Sequence, residues 1–265
     1  MFSLKSTKSA LLAGLMTALG AVSANAADLT VGANIGNVPW EFEDASGKVT
    51  GFEIDLVNEI AKRLGKSVEF VNTPFAGLFP AVQSGRINMA VSSITITEKR
   101  LASVTFAQPY YDSDQSLTVT AASGITGLKG MTGKVVGVDT GSTGDMWADA
   151  HKGEYKLGEI RRFEGLQPAM LDLVAGRVDG YISDIPALLY YAKDKPELKV
   201  VERIPTGEKY SIMFNKGDPL ANEVDKVITT LKGEGFIAKL HETWFGAKAE
   251  DTTSTVAVLD MPKAK

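Results

Sequence analysis

Residues 89–111 read MAVSSITITEKRLASVTFAQPYY and form the most informative part of the chain. The stretch starts with a short apolar run that is typical of a buried strand, and hydroxyl side chains follow it. Thr97 stands before Glu98-Lys99-Arg100 as the cap of a helix would. Hydroxyls, free backbone N–H groups and the planar guanidinium of Arg100 together favour binding of a carboxylate. A capped helix with a solvated arginine is the alternative interpretation of the same residues.

The order of these residues resembles the signature of bacterial periplasmic polar-amino-acid-binding proteins, the family 3 extracellular solute-binding proteins that serve ABC importers. The resemblance lies in the run Ser92–Arg100, in Phe106 and in Pro109-Tyr110-Tyr111. It implies an α/β fold with two lobes, the type II periplasmic-binding-protein fold. In that fold the chain crosses twice between the lobes, and the ligand binds in the cleft between them. The resemblance also implies that Arg100 holds the α-carboxylate of the ligand.

Residues 1–26 have the features of a secretory signal peptide. Lys5 and Lys8 provide a basic start, residues 10–22 are mostly apolar, and Ala24-Asn25-Ala26 matches the small-x-small cleavage pattern. The apolar run is shorter than the ~20 residues that a membrane span requires. We therefore expect export to the periplasm without a membrane anchor.

Charge and composition exclude several kinds of partner and cofactor. Removal of Lys5 and Lys8 with the signal peptide takes the formal net charge from −4 to −6. An acidic chain without a basic run is not expected to bind nucleic acid. The chain has no cysteine and two histidines, and no spacing of His and Asp suggests a metal site. We therefore expect no metal and no cofactor.

Strand-like and helix-like segments alternate from Leu29 onward, which is the pattern of an α/β sheet. An amphipathic helix begins near Leu56 and ends at Gly65. The preceding run Gly51–Leu56, GFEIDL, again resembles the family. Asp55 in this run is predicted to cap the helix or to face solvent.

The resemblance covers the chain from Leu29 to Gly246 and implies the arrangement of the domains. The first lobe would contain residues 27–114 and 210–250, the second lobe residues 115–209, and residues 251–265 would form a C-terminal tail. Residues 112–118 are predicted to cross between the lobes. Residues 204–207, Ile-Pro-Thr-Gly, are predicted to form a turn before the chain returns.

Two further polar clusters follow predicted strands. Thr140–Gly144 combines glycines and hydroxyls at the start of a helix, which is a second small anion site. Asp184 follows another strand and precedes Pro186, so it either caps the next helix or faces the cleft. The resemblance implies that Asp184 binds the α-ammonium group of the ligand. In open α/β sheets, ligands bind at this end of the strands, where all three clusters lie.

The motifs and the resemblance together predict one binding site. Its residues are Asn34, Asn37, Phe75, Ser92, Ser93, Thr95, Arg100, Asp139, Ser142, Thr143 and Asp184. Ser93 and Thr95 would help Arg100 with the carboxylate, and Phe75 would pack against the ligand side chain. Many relatives have an aromatic residue where this chain has Asn37.

Asp139 carries the prediction about the ligand. It either caps the helix that starts near Thr143 or faces the ligand side chain. In the second case we expect a basic or amide amino acid, or a larger derivative of one, because an acidic ligand would be repelled.

The resemblance implies a binding protein that is not an enzyme, that closes around an amino acid and that delivers it to an inner-membrane ABC permease. We expect it to be a monomer. The alternative is a dehydratase-like enzyme on the same fold, since fold does not determine function. His151 and His241 lie in predicted helices away from the motifs, and no acid–base pair is evident.

Overall fold

The structure is a computed structural model that describes residues 27–264; the predicted signal peptide lies outside the described residues. The strands are β1 (Leu29–Ala33), β2 (Phe42–Glu43), β3 (Val49–Thr50), β4 (Val68–Asn72), β5 (Met89–Ala90), β6 (Val104–Phe106), β7 (Tyr111–Thr120), β8 (Val135–Asp139), β9 (Glu159–Phe163), β10 (Gly180–Asp184), β11 (Leu198–Tyr210) and β12 (Met213–Asn215). The α-helices are α1 (Phe52–Leu64), α2 (Phe75–Gln83), α3 (Glu98–Leu101), α4 (Thr143–His151), α5 (Leu166–Val174), α6 (Ile185–Ala192), α7 (Leu220–Gly233) and α8 (Phe236–Phe245). Among these helices, none is long and apolar enough to cross a membrane.

The first lobe is built on a five-stranded sheet with the order β4-β1-β5-β12-β6. β1 runs parallel to β4 and β5, whereas β12 is antiparallel to β5 and β6. Successive side chains of a strand point to opposite faces, so Met89 and Phe214 belong to one hydrophobic cluster and Ala90 and Met213 to another. Helices α1, α7 and α8 contribute to the first cluster and α2 to the second. The sheet is therefore covered on both faces.

The second lobe is built on a separate five-stranded sheet with the order β11-β7-β10-β8-β9. β8 is parallel to β9 and β10, and β7 is antiparallel to β10 and β11. Tyr181 and Ile182, neighbours on β10, belong to different hydrophobic clusters, so this sheet is also packed on both faces. The expectation of a two-lobed α/β protein is confirmed.

The chain passes between the lobes along β7 and β11, which pair from Thr120 and Leu198 to Tyr111 and Tyr210. The predicted turn at residues 204–207 is wrong, because this segment lies inside β11 as a break in the register between Ile204 and Glu208. Pro205 and Gly207 are residues typical of a turn, but a β-bulge can also contain a proline and a glycine with positive φ. Pairing with β7 continues on both sides of it.

Local signals predict several element ends correctly. α4 starts at Thr143, as predicted, and Gly65 ends α1 in the left-handed conformation. The capping role predicted for Asp55 is wrong, because α1 already starts at Phe52. The Asp55 carboxylate lies within the helix and accepts a hydrogen bond from Trp244 Nε1 at 3.0 Å.

The segment after residue 250 contains turns and no helix or strand among the described residues. It nevertheless packs against the protein, because Ser254 and Thr255 are buried. Ser254 contacts Asp112 at the start of β7 and Lys209 near the end of β11. The C-terminal segment therefore joins both strands that connect the lobes.

Candidate functional site

The polar clusters that follow the strands of the two sheets meet at one cavity. All eleven predicted site residues line it. Leu166, Tyr181 and Ser183 line it as well and were not predicted. These residues come from both lobes, so the cavity is the cleft between them.

Arg100 is the cation of this cavity. Thr97 caps α3 by accepting a hydrogen bond from the Arg100 backbone N–H at 3.1 Å, and the short helix holds the arginine inward. The guanidinium donates to the carbonyl oxygens of Thr95 at 2.7 Å and Gly141 at 3.2 Å. It forms no ion pair with any residue from 27 to 264. Burial lowers the pKa of Arg100 to about 10, so it stays positively charged at neutral pH and can receive a carboxylate.

Two aromatic rings support the guanidinium of Arg100. Its central carbon lies 5.3 Å from the ring centre of Phe75 and 5.1 Å from that of Phe79. Cation–π contacts of this kind stabilise a buried cation without neutralising it. Phe75 therefore has two roles in the geometry: it lines the cavity and supports Arg100.

Asp184 occupies the N-cap position of α6, but its side chain makes no capping hydrogen bond. The carboxylate instead accepts hydrogen bonds from Ser93 Oγ at 3.2 Å and from Gln115 Nε2 at 2.5 Å. Burial and the nearby charge of Glu208 raise the pKa of Asp184 to about 7. The geometry favours the cleft-facing interpretation of Asp184 over the capping one.

Contacts across the cleft show that the lobes are closed. Ser93 of the first lobe reaches Asp184 of the second, and Thr95 Oγ1 lies 3.5 Å from Thr143 Oγ1. The bond from Arg100 to the Gly141 carbonyl also joins the two lobes. The described conformation is therefore the closed one.

Asp139 does not cap α4. Ser142 takes that role by accepting a hydrogen bond from the Asp145 N–H at 3.1 Å. The Asp139 carboxylate lines the cavity and accepts from the Gly165 N–H at 2.9 Å. Burial raises its pKa to about 6, so it is mostly ionised at neutral pH. Asn34 also lines the cavity, which places an acid and an amide among its lining residues.

Three buried glutamates near the cleft were missed by the sequence interpretation: Glu41, Glu53 and Glu208. Glu41 accepts from Ser92 Oγ at 2.6 Å and from Asn37 Nδ2 at 3.2 Å. Glu53 accepts from the backbone N–H of Ser93 at 2.9 Å. The sequence does contain a signal for the first two, since Glu41 follows Trp40 and Glu53 follows Phe52, and both aromatic residues are core residues.

Glu53 also explains the backbone of Ser93. Ser93 has a φ of 43°, which non-glycine residues seldom adopt. The Glu53 carboxylate accepts from its N–H, and Tyr110 donates its hydroxyl hydrogen to the same carboxylate. This anchored turn directs the Ser93 hydroxyl at Asp184.

The charges in and beside the cavity are unequal. Arg100 is the cation among the lining residues, whereas Asp139 and Asp184 are acidic, and the buried Glu208 lies behind Thr95 and Thr143. An excess of carboxylates favours a ligand with more positive than negative charge. Within residues 27–264, no group of His, Asp and Glu side chains is arranged to hold a metal.

Comparison with known proteins agrees with this geometry. The sequence model of the bacterial extracellular solute-binding proteins, family 3, matches residues 29–247. A probable histidine-binding protein of Neisseria gonorrhoeae is 31% identical over 222 residues, which cover 81% of this chain and 82% of that protein. The solved structure of an ancestral arginine-binding protein bound to arginine has a TM-score of 0.78 and 35% identity, and covers 82% of this chain and 98% of that chain.

One similar structure bears on the enzyme alternative. It is an ancestral amino-acid-binding protein described as a precursor of cyclohexadienyl dehydratase, with a TM-score of 0.74 and 36% identity over 82% of this chain and 95% of that chain. That protein is itself named a binding protein, as are the two relatives above. The expected family is confirmed: this chain belongs to the bacterial extracellular solute-binding proteins, family 3.

Proposed function

We propose that this protein is the periplasmic receptor of an ABC importer for a basic α-amino acid. The observation that carries the proposal is the closed cavity in which Arg100 and Asp184, from opposite lobes, face the same space. A buried cation without an ion pair suits a carboxylate, and a buried carboxylate suits an ammonium. An α-amino acid presents both groups on one carbon atom.

In this proposal Arg100 and the backbone N–H groups at the start of α4 bind the α-carboxylate. Thr143 begins that helix, so its N–H group belongs to the unpaired first turn, whereas the Ser142 N–H donates to the Asp139 carbonyl. Ser92, Ser93 and Thr95 form the wall between the two charged groups. The α-ammonium lies beside Asp184.

The ligand side chain points to Asp139 and Asn34. An ionised Asp139 favours a guanidinium, an ammonium or an imidazolium, because a buried carboxylate gains from a cationic partner. Two similar proteins, the probable histidine-binding protein and the ancestral arginine-binding protein, support a basic ligand. The Asn37 amide donates to Glu41 and Ser93. It forms a polar part of the cavity wall at the position where many relatives have an aromatic residue.

Closure of the lobes is the proposed working motion. The lobes are taken as residues 27–114 with 210–250, and residues 115–209; the pairing of Tyr111 with Tyr210 lies near both boundaries. A ligand that touches both lobes stabilises the closed state over the open one by its extra contacts. The closed monomer would then dock on an inner-membrane permease.

Isothermal titration calorimetry with a panel of free amino acids tests the proposal. We expect arginine, lysine or histidine to bind at micromolar concentration or tighter, glutamine more weakly, and glutamate and aspartate not at all. A preference for glutamate or aspartate would overturn the proposed ligand class. Failure of every amino acid to bind would overturn the receptor assignment.

The binding role also requires that the ligand leaves unchanged. Mass spectrometry of the ligand after long incubation with the protein should recover the intact amino acid. Conversion to a product would support the dehydratase-like alternative. Size-exclusion chromatography with light scattering should give the mass of one chain.

A further inference from the structure

We infer that Glu208 is a positioning residue of the binding site: it turns the hydroxyls of Thr95 and Thr143 into hydrogen-bond acceptors for the ligand ammonium. This inference rests on the proposed function and deepens it. Glu208 lies on β11, one of the two strands that connect the lobes, and is buried. It does not itself line the cavity, so it acts through its neighbours.

The geometry centres on one carboxylate oxygen. Glu208 Oε2 accepts from Thr95 Oγ1 at 2.7 Å and from Thr143 Oγ1 at 3.0 Å. Thr95 belongs to the first lobe and Thr143 to the second. The two hydroxyls that meet across the closed cleft are thus held by a single group on the connecting strand.

The second carboxylate oxygen connects Glu208 to Asp184. Glu208 Oε1 accepts from Gln115 Nε2 at 3.0 Å, and the same amide donates to Asp184. The titratable groups around Glu208 are Arg100, Asp184 and Tyr210. Among the described residues, Glu208 forms no ion pair within 4 Å.

The chemical consequence follows from the number of protons. A hydroxyl has one hydrogen to donate and two lone pairs to accept with. Thr95 and Thr143 both donate their hydrogen to Glu208, and Thr143 Oγ1 also accepts from Gln115 Nε2 at 3.2 Å. Only lone pairs are therefore left for the cavity, one of them on Thr143. Lone pairs attract an ammonium and repel a carboxylate. The two threonines therefore extend the ammonium site of Asp184, and the ligand carboxylate depends on Arg100 and backbone N–H groups.

The test compares Glu208→Gln with the natural protein on ligands with and without an α-amino group. The ligands are arginine, lysine and histidine, paired with 5-guanidinopentanoate, 6-aminohexanoate and 3-(imidazol-4-yl)propanoate. For the amino acid that binds most tightly, we expect Glu208→Gln to weaken binding at least tenfold. Binding of its partner without the α-amino group should change less than threefold.

Glu202→Gln is the matched control, because Glu202 lies on the same strand and accepts from the Leu128 N–H away from the cavity. It should leave both affinities unchanged. Thermal unfolding of both variants without ligand establishes that they are folded. An equal loss of affinity for both members of a ligand pair would mean that Glu208 is merely structural and would overturn the inference.

The pH profile gives a second, independent measurement. The Glu208 charge contributes to the raised pKa of Asp184, so its removal should lower that pKa. The pH below which amino-acid affinity falls should then move to a lower value in Glu208→Gln. An unmoved profile would contradict the coupling to Asp184. If the natural protein binds none of the amino acids, the proposed function itself is wrong.

Discussion

Ser93 donates its hydroxyl hydrogen to Asp184 over 3.2 Å, and this bond joins the turn after β5 of the first lobe to the end of β10 in the second. The buried Glu53 carboxylate holds this turn in place, because it accepts a hydrogen bond from the Ser93 N–H. The Ser93–Asp184 contact thus depends on a buried acid, Glu53, that does not line the cavity. Ligand binding and folding stability therefore depend in part on different residues.

Arg100→Met should weaken amino-acid binding by about 3 kcal/mol or more, which is over 100-fold in Kd, because the buried ligand carboxylate loses its charged partner. Stability without ligand should change little, since Arg100 has no ion pair to lose. Calorimetry measures the first effect and urea unfolding the second. Arg86→Ala, a change in an exposed loop, is the control. Unaltered affinity in Arg100→Met would remove this residue from the site.

Binding should weaken as the pH falls through 7. The ligand ammonium needs an ionised Asp184, whose pKa is about 7, so at lower pH a proton must leave before the ammonium binds. Calorimetry at pH 6 in buffers of different ionisation enthalpy should detect proton release on binding. Asp184→Asn should bind more weakly at pH 8, with no proton released from this position. Affinity that is constant from pH 5 to 8 would contradict the prediction.

Asp139→Asn should reduce the preference for basic ligands. The substitution keeps an acceptor for the Gly165 N–H but removes the charge that a guanidinium or ammonium would meet. The ratio of the affinities for arginine and glutamine, measured by calorimetry, should fall about tenfold or more. Asp172→Asn, on the side of α5 that forms an ion pair with Arg177, is a control of the same chemistry. An unchanged ratio would show that Asp139 does not face the ligand side chain.

Local sequence was sufficient where an element is defined by its own residues. α4 starts where predicted, at Thr143, because a hydroxyl cap and a glycine turn at its start are neighbours in sequence. It was insufficient for β11, where Pro205 and Gly207 signal a turn but pairing with β7 continues the strand. That pairing joins residues that are far apart in the chain, so no local pattern reports it.

The candidate site also contains residues that local sequence identifies and residues that it does not. Arg100 and Asp184 lie in motifs that can be recognised, and both line the cavity. Glu208 could not be found, because its partners Thr95 and Thr143 are 113 and 65 positions away. The charge of a residue is visible in a sequence, whereas its burial beside a distant hydroxyl is a property of the fold.

Glu41→Gln should make the protein less sensitive to rising pH. Burial and the neighbouring Glu53 raise the pKa of Glu41 well above its ordinary value, so the folded state keeps a proton that the unfolded state releases. Stability from this group is full below about pH 4.5 and falls as the pH rises above it. Glutamine is neutral at every pH and still accepts from Ser92.

Urea unfolding at pH 5 and pH 8 checks this prediction. The free energy of unfolding should fall less between the two pH values in Glu41→Gln than in the natural protein. Glu69→Gln, on the exposed side of β4, should keep the natural difference. The prediction fails if the fall is as large in Glu41→Gln as in the natural protein.

Removal of residues 251–265 should destabilise the protein, although this segment has no helix or strand. Ser254 is buried between Asp112 and Lys209, and the buried amine of Lys232 donates to the Ala257 carbonyl at 2.8 Å. Burial lowers the pKa of Lys232 to about 8. Without the Ala257 carbonyl, this buried amine has one hydrogen-bond acceptor fewer. We expect a loss of about 2 kcal/mol or more and a melting temperature lower by about 5 °C.

A shorter truncation is the matched control for the C-terminal segment. A chain that ends at Met261 keeps the bonds of Ser254 and Ala257, and also the bond from the Leu259 N–H to Gln108. It should unfold at the temperature of the full chain. Amino-acid affinity should change less than stability in the longer truncation, because no residue of the segment lines the cavity. If the chain that ends at Glu250 unfolds at the temperature of the full chain, the segment contributes nothing to the junction of the lobes.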